Sequence, residues 1–301
     1  MCSCCPQVIG PLFEPAFNIQ SVHTVKISEE KYFGIFAPVK TLSYFLRRIW
    51  CYWFFLSGFL FFLPLYPVFL ILLSREEWFH FAWRLKKVWA HWIFLTTGIW
   101  YRIRREGKID PKQAYIITPN HGSYLDILTT NIAFPNYFHF MGKAELKKIP
   151  MFGIFFRKMN ISVNRSSVKD SHKAYKRARK DLRKGISLTI FPEGTIPANS
   201  PSLGPFKSGA FRLAIEMQVP IVPITFLDNW RLFPDNSSER LTLRPGISRI
   251  VIHEPIPTAG LTEKDASELR NKVMQVIQKT LEKEGNCGFS FKTGQENQDH
   301  A

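Results

Sequence analysis

The sequence has few cysteines, and most of them lie at one end. Five of the 301 residues are Cys, and Cys2, Cys4 and Cys5 are clustered in the N-terminal segment. Thiols this sparse exclude a small fold held together by disulfides. Because the cluster lacks a Cys/His pair at metal-ligand spacing, we expect no zinc site there. We expect free thiols on a poorly ordered tail instead.

Acidic residues are also scarce relative to basic ones. The chain has 24 Asp and Glu against 40 Lys and Arg, which gives a formal net charge of +16. This excess favours an anionic partner, either a nucleic acid or a membrane surface. The chain is nevertheless 46% apolar and 15% aromatic, and this composition excludes intrinsic disorder.

One long stretch has no charge at all. Residues 49–73 contain only uncharged, mostly apolar and aromatic side chains, and Arg47 and Arg48 precede them. A helix that crosses a bilayer needs about 20 such residues, whereas a buried core helix rarely runs so long without a polar stripe. Pro64 and Pro67 would kink the helix or turn the chain back within one leaflet. The run predicts membrane embedding and leaves full spanning open.

The next stretch interleaves aromatic and basic residues. In residues 78–105, Trp and Tyr alternate with Lys and Arg, which suits the headgroup layer of a bilayer. Single-stranded nucleic acid could also stack on such a segment, but the neighbouring apolar run favours the membrane. The predicted organisation is a poorly ordered tail (1–40), membrane-embedded or interfacial helices (41–105), one folded domain (106–285) and a polar C-terminal tail (286–301).

The region from residue 106 to residue 285 has the pattern of an α/β domain. A basic segment at 168–184 and a C-terminal segment starting at Thr262 predict helices, the latter with Asp265 completing a capping box. The apolar face of the last helix uses Leu269, Val273, Ile277 and Leu281. Short apolar runs between helical patterns predict strands, and this alternation predicts a layered α/β fold. The predicted strands are 115–118, 137–141, 187–191, 221–226 and 249–253.

A histidine and an aspartate stand at a strand–loop–helix junction. The strand ending at Thr118 delivers His121 to a loop, where Gly122 permits a tight turn and Ser123 is suited to cap the next helix. Asp126 falls in the first helical turn, where its carboxylate can hold one ring nitrogen of His121 and leave the other free to take a proton. No Ser or Cys nucleophile in a nucleophile elbow accompanies the pair. A His that only caps a helix remains the alternative.

A second block follows the strand at 187–191. It reads Phe191-Pro192-Glu193-Gly194-Thr195 and puts a carboxylate at the carboxyl edge of a strand, where α/β sheets usually bind ligands. Alone, such a turn is more often structural than functional. Together with the His121–Asp126 block, it resembles the glycerolipid acyltransferase family typified by 1-acylglycerol-3-phosphate acyltransferase.

The resemblance extends over residues 116–224 and includes a middle block, the stretch that follows the Glu193 block and a last block. Lys143, Leu146, Gly153 and Arg165 are similar to the family's middle block. The run Phe206-Lys207-Ser208-Gly209-Ala210 resembles its Phe-Lys-x-Gly stretch, and residues 219–224 resemble its last block. Four blocks in the family's order make chance agreement improbable. The resemblance implies an acyltransferase domain with an N-terminal hydrophobic membrane-anchoring segment.

The resemblance also implies a reaction. A fatty acyl group passes from acyl-CoA or acyl carrier protein to the free hydroxyl of a lysoglycerophospholipid, as in the conversion of 1-acylglycerol 3-phosphate to phosphatidic acid. His121 is expected to be the general base and Asp126 its orienting partner, while Glu193, Gly194 and Thr195 bind substrate. Glu193 would position the glycerol portion, and backbone N–H groups near Gly194 would stabilise the oxyanion. Direct transfer needs no enzyme nucleophile, metal or cofactor beyond the acyl donor.

One position departs from the family. Ile196 stands where the family usually has an Arg that is implicated in holding the acceptor's phosphate. Arg165, Lys207 and Lys143 are the expected sources of positive charge for that phosphate. The departure leaves other lysolipid acceptors open, including a phosphate-free one.

Two hypotheses from other functional classes remain. A basic, membrane-attached nucleic-acid-binding protein would explain the charge but not the pairing of the His121 and Glu193 blocks. A non-catalytic lipid-binding relative would keep the blocks and lose the base, yet His121 and Asp126 are both present. The sequence therefore favours an enzyme with membrane lipids as partners and no nucleic acid, with its active domain on the cytoplasmic side of a membrane.

Overall fold

The computed structural model describes residues 30–164, 166–235 and 242–284, with side chains from residue 42 onward. The expectations for the N-terminal cysteines, for Arg165 and for the tail at 286–301 lie outside these residues. The chain divides into two compact units, residues 1–42 and 43–301, and the described part of the first unit is the beginning of one helix.

Helices and strands alternate through the second unit. The helices are α1 Glu30–Leu72, α2 Phe79–Thr96, α3 Leu125–Ala133, α4 Gly153–Lys158, α5 Val168–Arg183, α6 Gly209–Met217, α7 Asn229–Leu232 and α8 Ala266–Glu284. The strands are β1 Ile99–Arg105, β2 Ile116–Pro119, β3 Phe138–Lys143, β4 Ile161–Val163, β5 Ser187–Ile190, β6 Ile221–Phe226 and β7 Gly246–Ile252. Short 3-10 turns cover Glu76–Trp78, Ala144–Lys148 and Glu263–Asp265.

The strands form one mixed sheet in the order β1-β7-β6-β2-β5-β3-β4. All neighbouring strands are parallel except β6 and β7. The central strands β2 and β6 are buried along their whole length, as expected when helices cover both faces of a sheet. This architecture confirms the predicted layered α/β class.

The sheet brings the two sequence blocks to the same edge. β2 and β5 are parallel neighbours, with Ile116 opposite Leu188. The loop after β2 carries His121 and the loop after β5 carries Glu193. Because the carboxyl ends of parallel strands meet at one edge, the blocks converge although 72 residues separate these two side chains.

Two strands were missed by the sequence analysis. Residues 99–105, which the analysis included among the interfacial helices, form the edge strand β1 and pair with β7 from Ile99–Gly246 to Arg105–Ile252. Aromatic and basic side chains occupy its exposed positions, so its composition matched an interfacial segment better than a strand. The three-residue strand β4 is too short to give a periodic signal.

The two predicted long helices of the domain are confirmed. α5 begins after Ser167, whose hydroxyl accepts from the Asp170 N–H, and Gly185 follows its end with φ of +79°. The 3-10 turn before α8 starts with the predicted capping box between Thr262 and Asp265. The α8 face that is buried against the sheet contains Leu269, Val273, Ile277 and Leu281.

α1 packs one face on the domain and leaves the other exposed. Trp89 on α2 donates its indole N–H to the Gly58 carbonyl at 2.9 Å, while Phe69 meets Phe155 edge to face. The helix continues through both prolines to Leu72, so the chain does not turn back there. Among the described residues, Leu42–Leu72 is the one helical segment long and apolar enough to cross a membrane. Its exposed apolar side chains include Phe55, Leu56, Phe59, Leu60 and Leu63.

Candidate active site

His121 and Asp126 form a hydrogen-bonded pair at the end of β2. His121 Nδ1 lies 3.0 Å from Asp126 Oδ2. The carboxylate is completely buried in the first turn of α3, and 14% of the His121 side chain is exposed. The ring of Phe191, the first residue of the second block, stacks on the imidazole with centroids 4.1 Å apart. The imidazole is therefore held in plane by a carboxylate and on one face by an aromatic ring.

The hydrogen bonds around Asp126 assign the tautomer of His121. Oδ2 of Asp126 also accepts from the backbone N–H groups of Gly122 and Ser123, at 2.7 and 2.8 Å. An oxygen with these two donors is an ionised acceptor, so the third contact, from His121 Nδ1, is an N–H donor. In the neutral imidazole with this tautomer, the second ring nitrogen, Nε2, carries the lone pair. This is the state that a general base requires.

Gly122 also allows close packing beside His121. A Cβ at this position would lie 3.3 Å from the Cβ of Trp230 and 3.7 Å from the Ser200 hydroxyl. The absence of a side chain therefore lets the loop approach both the α7 region and the loop that follows the Glu193 block. Ser123 fixes the other end of the loop, because its hydroxyl donates to the Phe233 carbonyl at 2.6 Å and accepts from the Leu125 N–H.

Glu193 joins two loops through their backbones. Its Oε1 accepts from the His121 N–H and its Oε2 from the Gly204 N–H, both at 2.8 Å. Burial raises the pKa of this carboxyl to about 7, and the charge of Asp126 adds to the rise, against the two backbone donors. Among the described residues, Glu193 does not line the cavity beside His121. Its contacts therefore position the His121 loop, whereas contact with the substrate's glycerol stays a prediction.

A cavity of about 230 Å³ lies against His121. One part of its wall is apolar, with Phe140, Leu146 and Phe156. Another part has polar side chains, with Lys143 and with Thr195 of the second block, next to Ile196. His121 thus faces a space with an apolar wall and a polar rim, which is the usual form of a site for a small amphipathic ligand.

The remaining predicted binding residues lie at different distances from this cavity. Lys143 lines it, and its ammonium donates to the Thr195 hydroxyl at 3.4 Å. Gly194 also lines it, but its N–H donates to the Phe191 carbonyl at 3.1 Å within the turn, where Gly194 has φ of +75°. Lys207 lines a neighbouring cavity of about 160 Å³. Arg165 lies outside the described residues.

Asn229 belongs to this arrangement and was missed by the sequence analysis. Its amide donates to Asp126 Oδ1 at 2.9 Å and to the Thr129 hydroxyl at 3.1 Å, and its carbonyl oxygen accepts from the Ser248 hydroxyl at 2.6 Å. It is 103 residues from Asp126 in sequence. The available signal was its place just after β6, which neighbours β2, because polar residues that end adjacent strands meet at one edge.

Comparison with known proteins identifies the family. The model of a family described as acyltransferase matches residues 101–227. The chain is 31% identical over 185 residues to an uncharacterized acyltransferase of Schizosaccharomyces pombe, covering 60% of this chain and 65% of that protein. It is 31% identical over 199 residues to the human 1-acyl-sn-glycerol-3-phosphate acyltransferase alpha, covering 64% of this chain and 69% of the human protein. The chain belongs to the acyltransferase family.

The share of the relative's length that is matched differs from one relative to another. It is 32% identical to a chloroplastic 1-acyl-sn-glycerol-3-phosphate acyltransferase of Brassica napus, but the match covers 45% of that protein. The chain thus spans between 45% and 69% of the length of these three relatives. Among solved structures, the 1-acyl-sn-glycerophosphate acyltransferase PlsC from Thermotoga maritima superposes with a TM-score of 0.67 at 22% identity, over 79% of this chain and 96% of that one. The acyltransferase-family chain shares its fold.

Proposed function

We propose that the protein transfers a fatty acyl group from acyl-CoA or an acyl carrier protein to the free hydroxyl of a lysoglycerophospholipid. The proposed acceptor is 1-acylglycerol 3-phosphate, and the product is phosphatidic acid. The observation that carries this proposal is the His121–Asp126 pair, with its free Nε2, at the wall of a cavity with an apolar side. The names of the human and Brassica relatives supply the acceptor class.

His121 acts as the general base in the proposed reaction. Nε2 takes the proton from the acceptor hydroxyl as the hydroxyl oxygen attacks the thioester carbonyl carbon. Asp126 keeps the Nδ1 proton in place and stabilises the imidazolium that forms. General-base assistance of this kind contributes about 10²–10⁴-fold to the rate.

The second half of the reaction returns the proton. The tetrahedral intermediate collapses, the carbon–sulfur bond breaks, and the imidazolium protonates the leaving thiolate, so the products are an ester and a free thiol. Lys143 provides positive charge at the cavity wall, where we propose that it binds the acceptor's phosphate. No step passes through an acyl-enzyme, a metal or a cofactor other than the acyl donor.

The apolar surfaces fit substrates that reside in a bilayer. Phe140, Leu146 and Phe156 offer an apolar wall to the acyl chain at the thioester end. The exposed apolar face of α1 would hold the domain at the membrane, where both lysolipid and product partition. Basic residues flank the charge-free run, which favours a cytoplasmic leaflet with its anionic lipids. Nucleic acid has no role in this scheme.

The test is an acyl-transfer assay with the purified protein in a neutral detergent. Acyl-CoA and acyl carrier protein donors are each offered with lysophosphatidic acid, other lysophospholipids and a phosphate-free monoacylglycerol. We expect ester formation with lysophosphatidic acid and stoichiometric release of thiol. His121→Ala should lower the rate by at least about 10²-fold, because the reaction loses its base.

His172→Ala is the matched control, since His172 is an exposed histidine on α5. It should retain wild-type activity. Both variants should also float with vesicles like the wild type. Full turnover by His121→Ala, or no transfer to any acceptor on the panel, would contradict the proposal.

A further inference from the structure

A tight turn near the His121 cavity has an apolar tip. Residues 149–152, which read Ile-Pro-Met-Phe, join the 3-10 turn Ala144–Lys148 to α4. Ile149 is 44% exposed, and Pro150 beside it is exposed as well. A single exposed apolar side chain is ordinary. The 149–152 tip differs from such a case in the charges around it and in its packing on α1.

Basic side chains flank the 149–152 tip on both sides. Lys147 and Lys148 precede it, Arg157 and Lys158 follow it in the last turn of α4, and all four are exposed. Glu145 is the one acidic residue between positions 143 and 158, a segment that the structure describes throughout. An apolar tip between basic residues is typical of a segment that lies in a bilayer interface, with the charges at the headgroups.

The tip is tied to the segments on either side of it. The Gly153 N–H donates to the Ile149 carbonyl at 2.8 Å, and the Arg157 guanidinium donates to the Lys147 carbonyl. A Cβ on Gly153 would collide with the Lys147 carbonyl oxygen, so this close approach requires a glycine. Met151 has φ of +61°, which turns the chain sharply at the tip. The tip and the start of α4 therefore form one unit.

The other side of this unit is a wall of the candidate active site. Leu146 from the 3-10 turn and Phe156 from α4 both line the cavity beside His121. Lys143, which immediately precedes the 3-10 turn, lines it too. Phe152 of the tip contacts Phe156, with ring centroids 5.4 Å apart. A surface that holds the tip would therefore also position this wall of the cavity.

The tip adjoins the apolar surface of α1. Met151 and Phe152 pack against the hydrophobic cluster that contains Phe69 of α1. Leu70 and Ile71, which follow Phe69 in the helix, are 49% and 60% exposed. The exposed apolar residues of the tip thus continue the α1 face that we expect to contact a membrane.

We propose that the 149–152 tip is a second membrane contact, which inserts beside α1 into a leaflet with anionic headgroups. Its apolar side chains enter the acyl layer, and the flanking basic side chains bind lipid phosphates. The contact places the cavity at headgroup level, so that a lysolipid passes from the leaflet to His121 along Leu146 and Phe156. The contact is independent of the proposed acyl transfer, whereas this path for the lysolipid rests on it.

A fluorescent label tests the insertion directly. The labelling background keeps Cys51, which is buried, and replaces the other four cysteines by Ser. Ile149→Cys carries an environment-sensitive dye, and Val168→Cys, at the exposed start of α5, is the matched control. With vesicles of phosphatidylcholine and phosphatidylglycerol, the dye at position 149 should shift to the blue and be quenched by nitroxides on the lipid chains. No response at 149, or an equal response at 168, would overturn the proposal.

Partition coefficients from flotation at several lipid concentrations measure what the tip contributes. Ile149→Glu should lower the coefficient at least about tenfold on phosphatidylcholine vesicles with or without phosphatidylglycerol, because a charge replaces a buried apolar side chain. The double variant Lys147→Gln, Lys148→Gln should lower it about 30-fold on the anionic vesicles and little on the neutral ones. Unchanged binding of Ile149→Glu to both kinds of vesicle would contradict the insertion.

Two controls match these variants. Val168→Glu adds the same charge at another exposed aliphatic position, and the pair Lys272→Gln, Lys279→Gln removes two exposed lysines of α8. Both should bind vesicles within about threefold of the wild type, since their charges lie away from the proposed contact. The thermal midpoint of each variant without vesicles separates a loss of contact from a loss of folding.

Kinetics separate the contact from the proposed function. With a short-chain lysophosphatidic acid below its critical micelle concentration, Ile149→Glu should turn over like the wild type, because Ile149 does not line the His121 cavity among the described residues. With a long-chain lysophosphatidic acid in vesicles, its rate should fall about tenfold. Insertion of the tip in a protein that acylates no acceptor would support the contact and contradict the proposed reaction. Acyl transfer by a protein whose tip does not insert would do the reverse.

Discussion

The side-chain amide of Asn229 donates a hydrogen bond to Asp126 Oδ1 at 2.9 Å, on the side of the carboxylate away from His121. Ser248 in turn donates to Asn229 Oδ1 at 2.6 Å, which fixes the orientation of the amide. The donors on both oxygens hold the Asp126 carboxylate in the plane that meets the imidazole. Asn229 is therefore a positioning residue for the proposed base.

This relationship predicts the kinetics of Asn229→Leu, which removes the amide but keeps a similar size. The Asp126 carboxylate gains freedom to rotate, the imidazole is less well aimed, and kcat should fall about 10- to 100-fold. The KM values should change little, because Asn229 does not line the cavity among the described residues. The measurement is steady-state acyl transfer with both substrates varied.

Two further variants check this result. Ser248→Ala removes the support of the amide and should lower kcat in the same direction by a smaller factor. Asn271→Leu, on the exposed face of α8, is the matched control and should be active. If the loss of kcat in each variant simply followed its loss of thermal midpoint, Asn229 would only stabilise the fold.

The buried carboxyl of Glu193 predicts a pH-dependent stability. Its pKa is about 7 in the folded protein, raised by burial, against about 4.5 when exposed. The protonated form is thus favoured by folding, and its contribution is fully present below pH 4.5 and is lost as the pH rises through 7. Relative to Glu193→Gln, the wild type should lose about 1 kcal/mol of unfolding free energy between pH 6 and pH 8. Chemical denaturation of both proteins at several pH values measures this difference, and a constant difference across this window would refute the raised pKa.

A buried lysine predicts a gain in stability. Lys86 on α2 is 4% exposed, with its ammonium 5.7 and 5.3 Å from the ring centroids of Phe140 and Phe155. Burial lowers its pKa to about 7, so the wild type is destabilised as the pH falls from 10.5 to 7, and no further below 7. Lys86→Met should therefore raise the free energy of unfolding by ~2 kcal/mol at pH 7 and by less at pH 9.5.

The matched control for this variant is Lys279→Met, which replaces an exposed lysine on α8. Its effect on the free energy of unfolding should be small and independent of pH between 7 and 9.5. A Lys86→Met variant that is less stable than the wild type at pH 7 would show that the ammonium is compensated by its aromatic neighbours.

Some residues of the candidate site could be predicted from the sequence and others could not. His121, Asp126 and Glu193 were predicted together because each follows a strand or begins the next helix, and adjacent parallel strands bring such residues to one edge. Asn229 was missed because its contact with Asp126 depends on which strands are neighbours, a property of the folded sheet.

The same is true of the helices and strands of the fold. Periodicity was sufficient for α5, α8 and the buried strands, since each shows one regular apolar face. β1 was missed because an edge strand that is exposed along most of its length carries the aromatic and basic side chains of an interfacial segment.

The exposed face of α1 predicts how the protein is held at a membrane. Leu56, Leu60 and Leu63 are 49%, 55% and 54% exposed and lie on the side of the helix away from Phe62 and Phe69, which are buried. Replacing the three leucines by Glu puts three negative charges on the proposed contact with the bilayer. Such a change should shift most of the protein from vesicle-bound to free in a flotation assay, because each buried leucine contributes about 1.5–3 kcal/mol.

The matched control is a triple change to Glu at Ser267, Asn271 and Gln275, which are exposed positions of α8. It adds the same charge away from α1 and should leave vesicle binding close to wild type, apart from a modest loss on anionic vesicles. The α1 variant should still acylate lysophosphatidic acid in detergent micelles, since the His121 cavity is unchanged. Full vesicle binding by the α1 variant would show that attachment depends on another surface, because three charges in the apolar face are incompatible with its insertion.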